Sequence, residues 1–143
     1  MNWDDLMFTK NYSGITVYAQ SKLANVMFTK ELQRRLDIEK ADVKVISLHP
    51  GIIMTTELGR YILEKPIAKI LHFFFTPIMK YVSKSVVHGA QTTLYCALEE
   101  QNSLESGGYY SDCKPAKINP IALDEKNCQR LWQISEDLIA KKL

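Results

Sequence analysis

Apolar residues recur at three- and four-residue spacing between positions 17 and 36, with charged and amide side chains such as Glu31 and Gln33 between them. This spacing lines apolar side chains along one side of an α-helix. The pattern therefore predicts a long amphipathic helix over residues 17–36. Its apolar positions are Leu23, Val26, Met27, Leu32 and Leu36.

The rest of the chain alternates between short β-rich runs and helical patterns. Residues 43–48 predict a strand that ends sharply at His49-Pro50-Gly51, and residues 107–111 predict a second strand entered through two glycines. Helical periodicity returns over residues 85–100 and again over residues 123–142. Helices that alternate with short strands favour an α/β fold with a parallel sheet flanked by helices.

Length and charge narrow the class of protein. The chain has 143 residues, 46% of them hydrophobic, and a formal net charge of +2. This length suits one compact domain. Acidic and basic residues are interspersed without a basic stripe, so nucleic acid is not an expected partner.

Residues 61–82 are rich in large apolar side chains, but Pro66, Pro77 and several charges interrupt them. No run there approaches the roughly 18 apolar residues of a membrane-spanning helix. A module that lies on a membrane surface is an alternative for this stretch, although it lacks the strongly basic face of such helices. Residues 1–17 hold no apolar run of signal-peptide length.

The cysteines and histidines suggest no metal centre. Cys96, Cys113 and Cys128 are odd in number and far apart, which favours reduced thiols in a protein that faces the cytosol. His72 and His88 share no ligand spacing with a cysteine or a carboxylate, so a metal site is not expected.

The pattern Tyr-x-x-x-Lys is the candidate chemistry, because on a helix it places a phenol and an ammonium group one turn apart. It occurs as Tyr18/Lys22, Tyr61/Lys65 and Tyr110/Lys114. Lys65 and Lys114 each precede a proline, where helical backbone is disfavoured, so we expect a helical pair only at Tyr18/Lys22. A positive charge favours the phenolate, which lets a tyrosine exchange a proton with a substrate oxygen.

A half-buried tyrosine beside a lysine is the ordinary structural interpretation of such a pair. Two features favour chemistry instead. The Pro50-Gly51 turn follows one helix and one strand later, at the carboxyl end of a strand, where open α/β sheets bind ligands. Residues 52–56 after the turn offer backbone groups and hydroxyls to a nucleotide.

Several motifs occur in a fixed order along nearly the whole chain. They are Tyr-Ala-Gln-Ser-Lys-Leu-Ala-Asn (18–25), His-Pro-Gly (49–51) with Thr55 following, Gly-Ala-Gln-Thr-Thr (89–93), Tyr-Tyr-Ser-Asp-Cys (109–113) and Leu-Trp-Gln-Ile-Ser (131–135). Together they resemble the retinol dehydrogenase branch of the short-chain dehydrogenases/reductases. The resemblance implies a partial Rossmann-type parallel sheet without its N-terminal nucleotide-binding strands, and residues 1–143 would be a single partial domain.

The resemblance also implies roles for individual residues. Tyr18 would be the general acid/base, and Lys22 would favour its phenolate and bond the nicotinamide ribose. The nicotinamide end of NAD or NADP would be lined by Pro50, Gly51, Ile53 through its backbone, and Thr55. The glycine-rich phosphate loop and the catalytic serine would lie upstream of Met1, since Ser13 and Ser21 do not match the family's serine.

Two further groups have alternative interpretations. Phe73, Phe74 and Phe75 are either ordinary core or the wall of a lipophilic substrate pocket that also touches a membrane surface. His49 is better explained as a histidine packed at a turn than as a catalytic base.

Two functions follow from the resemblance. The first is an oxidoreductase that interconverts a lipophilic primary alcohol and its aldehyde, such as retinol and retinal, with NAD or NADP. The second is a catalytically silent chain that acts at most through association, for example as a homo-oligomer. The family implies the cytoplasmic face of the endoplasmic reticulum or another membrane, given an upstream anchor. Cofactor preference, direction and the exact substrate stay open.

Overall fold

The computed structural model describes residues 1–51, residue 53 and residues 84–141. Within this part of the chain, helices and strands alternate as the sequence predicts. In chain order they are α1 (Gly14–Ile38), β1 (Ser47–His49), α2 (Val86–Leu98), a 3₁₀ helix (Gln101–Ser103), β2 (Tyr109–Ser111), β3 (Lys114–Pro115), a second 3₁₀ helix (Pro120–Leu123) and α3 (Glu125–Ala140).

The three predicted helices are confirmed, with small differences at their ends. α1 begins at Gly14 rather than Val17 and ends at Ile38. Side chains explain where the other two begin, since an oxygen placed before a helix accepts hydrogen bonds from its free N–H groups. Ser85 accepts from His88 N at 3.2 Å, and Asp124 accepts from Lys126 N at 2.9 Å.

The buried positions of α1 differ from the predicted apolar side. Met27 is fully buried as expected, but Glu31 and Gln33, which the pattern assigned to the polar side, are 1% and 4% exposed. Burial of these polar groups is tolerated because hydrogen bonds satisfy them. Both oxygens of Glu31 accept from Arg34, and one also accepts from Arg35, all at 2.8 Å.

The predicted strand over residues 43–48 is shorter in the structure, because its first residues bond to α1. The Gln33 side chain donates to Val43 O at 3.1 Å and accepts from Val45 N at 2.7 Å. These backbone groups therefore bond to a side chain instead of a strand, and β1 begins only at Ser47.

The strands form one sheet in the order β1-β2-β3. Gly107 N donates to Val45 O, and further along both segments Ser47 N donates to Gly108 O. Because residue numbers increase in the same direction along both hydrogen-bonded segments, β1 and β2 run parallel. The sequence did not predict β3, which pairs antiparallel with β2 through Ser111↔Lys114 and leaves a two-residue turn between them.

The chain divides into two compact units, each with its own packing. The first comprises Met1–Ser47, Gln101–Tyr109 and Ala116–Leu143, and the second comprises Leu48–Glu100 and Tyr110–Pro115. The core of the first unit lies between α1, the second 3₁₀ helix and α3. Its buried members are Met27, Ala122, Cys128 and Leu131.

In the second unit, α2 buries small residues and exposes several of its large apolar ones. Gly89 and Thr92 are buried, whereas Val86 and Leu94 are 61% and 48% exposed. A Cβ at Gly89 would lie 3.1 Å from Ile53 Cγ1 and nearer still to the end of that side chain, so Ile53 would have to shift if the glycine were replaced. Small residues thus let α2 approach its neighbours closely.

None of the helices in the described ranges has both the length and the apolar character of a membrane span. The stretch over residues 61–82, where the sequence suggested a membrane-surface module, lies outside the described residues.

Candidate active site

Tyr18 and Lys22 lie one turn apart on α1, as the spacing predicted. The Tyr18 side chain is 50% exposed, so its phenol is open to a reactant. Lys22 Nζ lies 5.3 Å from the centroid of the Tyr18 ring, within the range of a cation–π contact. The helix therefore holds a fixed positive charge beside an accessible phenol.

Two of the three residues between them, Gln20 and Ser21, have structural roles that the sequence did not reveal. Gln20 accepts from Asn2 N at 2.7 Å and donates to Leu6 O at 3.0 Å, which fixes the N-terminal segment against α1. Ser21 Oγ donates to the carbonyl of Tyr18 at 2.8 Å, so its hydroxyl is engaged within the helix. A long-range tether by a glutamine leaves no periodic signal in a sequence.

The N-terminal segment is ordered by a further side chain, Asp5. Its carboxylate accepts from Thr9 N, Thr9 Oγ1 and Lys10 N at 2.8 to 2.9 Å. Hydrogen bonds to the charged form favour ionisation, and the one from Lys10 N contributes most to holding the pKa of Asp5 below its usual value. The residues before α1 thus form a defined loop next to the Tyr18 helix.

A pocket of about 530 Å³ opens beside α1, within the first unit. This volume lies in the range of roughly 300 to 1,000 Å³ that small-molecule sites occupy. Lys22 lines it, and most of the other lining side chains are apolar. Among these are Ala19, Leu23 and Val26 of α1 and Tyr109, Ile118 and Ile121 from later in the chain.

The predicted cofactor residues Pro50, Gly51 and Ile53 lie in the second unit, at the turn after β1. Gly51 has φ +89, a conformation that favours glycine, and its N–H donates to His49 Nδ1 at 2.9 Å. The His49 ring therefore stabilises the turn, which supports its structural interpretation, although it is exposed rather than packed.

A lysine near this turn has a role that the sequence did not reveal. A Cβ at Gly51 would lie 2.7 Å from Lys84 Cδ, and the Lys84 ammonium pairs with Asp112. That hydrogen bond and the lysine charge hold the pKa of Asp112 below its usual value. Of the remaining predicted site residues, Thr55, Phe73, Phe74 and Phe75 lie outside the described residues.

Known proteins resemble the chain throughout. No family model matches it. It is 41% identical over 143 residues to retinol dehydrogenase 14 of Homo sapiens, covering 97% of this chain and 40% of that protein. It is 39% identical over 135 residues to retinol dehydrogenase 12 of Homo sapiens, covering 94% of this chain and 40% of that protein.

A plant protein and a solved structure extend the comparison. The chain is 32% identical over 128 residues to the chloroplastic short-chain dehydrogenase TIC 32 A of Brassica napus, covering 90% of this chain and 38% of that protein. A crystal structure of an uncharacterized protein from Mycobacterium Paratuberculosis matches with a TM-score of 0.64 and 27% identity, covering 96% of this chain and 44% of that one.

The predicted resemblance to the short-chain dehydrogenases/reductases is confirmed, because these similarities extend over nearly all of the chain. Within that class, the chain is similar to the retinol dehydrogenases. Its helices and parallel strand pair form part of a Rossmann-type α/β fold. The chain spans about 40% of the length of the curated relatives it matches.

Proposed function

We propose that this chain carries the acid/base pair of an NAD(P)-dependent oxidoreductase that interconverts a lipophilic primary alcohol and its aldehyde. The observation that carries the proposal is the pair on α1, with the Tyr18 phenol half-exposed and Lys22 Nζ 5.3 Å from its ring centroid. The names of the similar proteins, retinol dehydrogenases 14 and 12, support the reaction class.

In the oxidative direction, Tyr18 as phenolate takes the proton of the substrate hydroxyl. In the reductive direction, the Tyr18 phenol returns a proton to the aldehyde oxygen. NAD or NADP, when bound, accepts or supplies the hydride. Lys22 stabilises the phenolate by its positive charge, because an adjacent cation favours the anionic form.

The donors near Tyr18 fit the ribose of such a cofactor. Lys22 has three N–H donors on an exposed ammonium group, and ribose hydroxyls are suitable acceptors. The turn after β1 would contribute backbone carbonyls, because the Gly51 N–H already donates to His49 Nδ1. We assign the nicotinamide end to Pro50, Gly51, Ile53 and Thr55 on the resemblance.

A lipophilic substrate suits the apolar pocket beside α1, which Lys22 also lines. Apolar walls with a few polar groups are the usual composition of a site for a hydrophobic small molecule. Phe73, Phe74 and Phe75 are a second proposed part of the substrate wall. Retinoids belong to this substrate class.

A catalytically silent chain that acts through self-association is the second candidate. The observation that favours it is the set of large apolar side chains exposed on α2. These are Val86, Val87, Leu94 and Leu98, which are 61%, 69%, 48% and 80% exposed. Apolar surface of this kind is a usual component of contacts between subunits.

The substitution Tyr18→Phe tests the first candidate, with Tyr12→Phe as its control. Tyr12 is 78% exposed and precedes α1, so its hydroxyl has no part in the proposed pair. Retinal reduction with NADPH or NADH should fall at least about 100-fold in Tyr18→Phe, the usual contribution of a general acid. The Tyr12→Phe protein should retain the wild-type rate.

Turnover that survives in Tyr18→Phe would overturn the catalytic assignment. A wild-type chain that is folded, does not turn over retinal or retinol with either cofactor and elutes as an oligomer would favour the second candidate instead. Circular dichroism of both variants shows whether α1 is intact.

A further inference from the structure

The hairpin that joins β2 to β3 has a cysteine at an unusual position. Its two turn residues, Asp112 and Cys113, have φ values of 56 and 57. Two-residue turns with positive φ at both positions favour asparagine or aspartate followed by glycine. Asp112 follows that preference, but a cysteine takes the place of the glycine.

The hairpin turn packs against α2, within the second unit. Cys113 N donates to Thr92 Oγ1 at 3.4 Å, and Thr92 is only 1% exposed. The ring centroids of Tyr110 in β2 and Tyr95 in α2 are 6.1 Å apart, so the strand and the helix are also in contact here. Cys113 therefore lies directly over the part of α2 that carries Thr92.

A second cysteine lies on the same side of α2. Cys96 follows Thr92 by four residues, and residues at that spacing are neighbours on one side of a helix. The hydrogen bond from Cys113 N to Thr92 therefore places the turn beside the side of α2 that carries Cys96. Both cysteines are partly exposed, so small reagents can reach them.

The two thiols are close enough to influence each other. Burial raises the pKa of the Cys96 thiol, and the charge of the neighbouring Cys113 raises it further. Cys96 therefore stays a protonated thiol under conditions in which an ordinary cysteine ionises. We assign the first reaction to Cys113, at the turn, and the thiolate is the nucleophile in that step.

We infer that Cys96 and Cys113 form a dithiol site that a peroxide oxidises to an intramolecular disulfide. The inference rests on the contact of the Asp112-Cys113 turn with α2 and is independent of the proposed catalytic pair. Disulfides in reducing compartments are usually transient and redox-sensing, which fits a pair of partly exposed cysteines.

The chemistry needs only hydrogen peroxide as the oxidant. The Cys113 thiolate attacks one peroxide oxygen, the S–O bond forms, the O–O bond breaks, and hydroxide leaves and is protonated to water. The Cys96 sulfur then attacks the Cys113 sulfur, the S–S bond forms, the S–O bond breaks, and a second water leaves. Two thiols are oxidised and one peroxide is reduced.

The third cysteine provides an internal control. Cys128 is 3% exposed, belongs to the core of the first unit, and donates from Sγ to Ala122 O at 3.5 Å. Burial raises the pKa of the Cys128 thiol, and the carboxylates of Glu31 and Asp124 raise it further. It should therefore resist a peroxide that oxidises the other two.

The experiment is to treat the purified full chain with hydrogen peroxide and count free thiols by alkylation under denaturing conditions. The expected count falls from three to one, the monomer mass falls by two hydrogen atoms, and peptide mapping links Cys96 to Cys113. Cys128→Ser should lose both of its thiols in the same way. In Cys96→Ser, dimedone should label Cys113, because its sulfenic acid has no thiol partner.

Three results would overturn the inference. They are a thiol count that stays at three, a disulfide that forms between chains instead of within one, and oxidation of Cys128 as fast as that of the other two. Labelling of Cys113 by dimedone in the wild type as strong as in Cys96→Ser would also contradict it, because Cys96 should consume the sulfenic acid.

Discussion

Glu31 is a charged residue that the fold buries almost completely, at 1% exposure. Hydrogen bonds from Arg34, the burial of the carboxylate and hydrogen bonds from Arg35 act on it together, and their net effect holds the pKa of Glu31 below its usual value. Arg35 also lies over the ring of Trp132 at 4.4 Å, so the ion pair is continuous with the packing of α3. The Glu31 carboxylate thus bonds within α1 to the arginine that packs against α3.

Substitution of Glu31 should reduce the loss of unfolding free energy that accompanies a fall in pH. A carboxylate with a depressed folded-state pKa stabilises the fold above its unfolded-state pKa, and this stabilisation is lost as pH falls through the folded-state pKa. Glu31→Gln should cost about 2 kcal/mol near pH 7, because a buried hydrogen bond to a charged group is lost while the partly exposed arginines regain water. Its unfolding free energy should then decline less than that of the wild type below pH 4.5, the usual glutamate value.

Glu125→Gln is the matched control in urea unfolding at several pH values. Glu125 pairs with the same Arg34 at 3.6 Å, but its side chain is 64% exposed. Exposed pairs contribute little, so this variant should lie within about 0.5 kcal/mol of the wild type. Equal effects of the two substitutions would contradict the role of buried Glu31.

The tyrosine-lysine pairs show what single residues reveal at the sequence level. Tyr110 is fully buried in β2 and Lys114 is exposed in β3, so this pair spans a hairpin. The proline after Lys114 indicated only that the pair would not lie in a helix. Tyr18 and Lys22 share a helix, as their context predicted. The Tyr-x-x-x-Lys spacing alone therefore does not identify a helical pair, and the residues around it are needed to do so.

At the scale of elements, Gln33 connects α1 to the segment that leads into β1. Its side chain bonds to Val43 O, Val45 N and the Asp37 carboxylate at 3.1, 2.7 and 2.8 Å. Loss of these bonds would remove the side-chain partner of partly buried backbone groups at Val43 and Val45. The glutamine side chain thus makes the backbone hydrogen bonds that a neighbouring strand would otherwise make.

Gln33→Ala should destabilise the protein by about 2 kcal/mol, because the buried glutamine loses two hydrogen bonds to partly buried backbone groups. Gln133→Ala is the control, since Gln133 makes the same bond to a residue four positions later, Asp137, at 3.0 Å on the exposed side of α3. That variant should change stability by less than about 0.5 kcal/mol. Hydrogen exchange at Val45 N should accelerate only in Gln33→Ala, and unchanged protection there would contradict the tether.

Long elements were predictable and short ones were not. α1 has enough helical repeats to be recognised within a few residues at each end. The start of β1 was misplaced because Gln33 competes for its backbone, which no local pattern reveals. β3 was missed because two residues carry no alternation and because Asp112-Cys113 lacks the glycine that normally marks such a turn.

At the scale of the whole molecule, the predicted site residues belong to both compact units. Tyr18 and Lys22 are in the first unit, and Pro50, Gly51 and Ile53 are in the second. The sequence motifs predicted these positions, because each motif is a short run of neighbouring residues that can be recognised without knowledge of the tertiary structure. Tethers such as Gln20 and the Lys84–Asp112 pair were not predictable, since they join residues that are distant in the chain.

Both units also expose large apolar side chains, for instance Ile15 at 85% on α1 and Leu98 at 80% on α2. This surface favours association, whereas the pair on α1 favours chemistry. The oxidoreductase requires a bound nucleotide cofactor, whereas a silent chain that self-associates does not. Measurement of cofactor binding therefore distinguishes the two candidate functions.

The most direct test is to titrate the purified 143-residue chain with NADPH and with NADH while following nucleotide fluorescence, and then to add retinal. An oxidoreductase should bind one of the two nucleotides with a dissociation constant on the order of micromolar and convert retinal to retinol. A folded chain that changes neither fluorescence nor retinal concentration would contradict the central claim that Tyr18 and Lys22 serve catalysis in this chain.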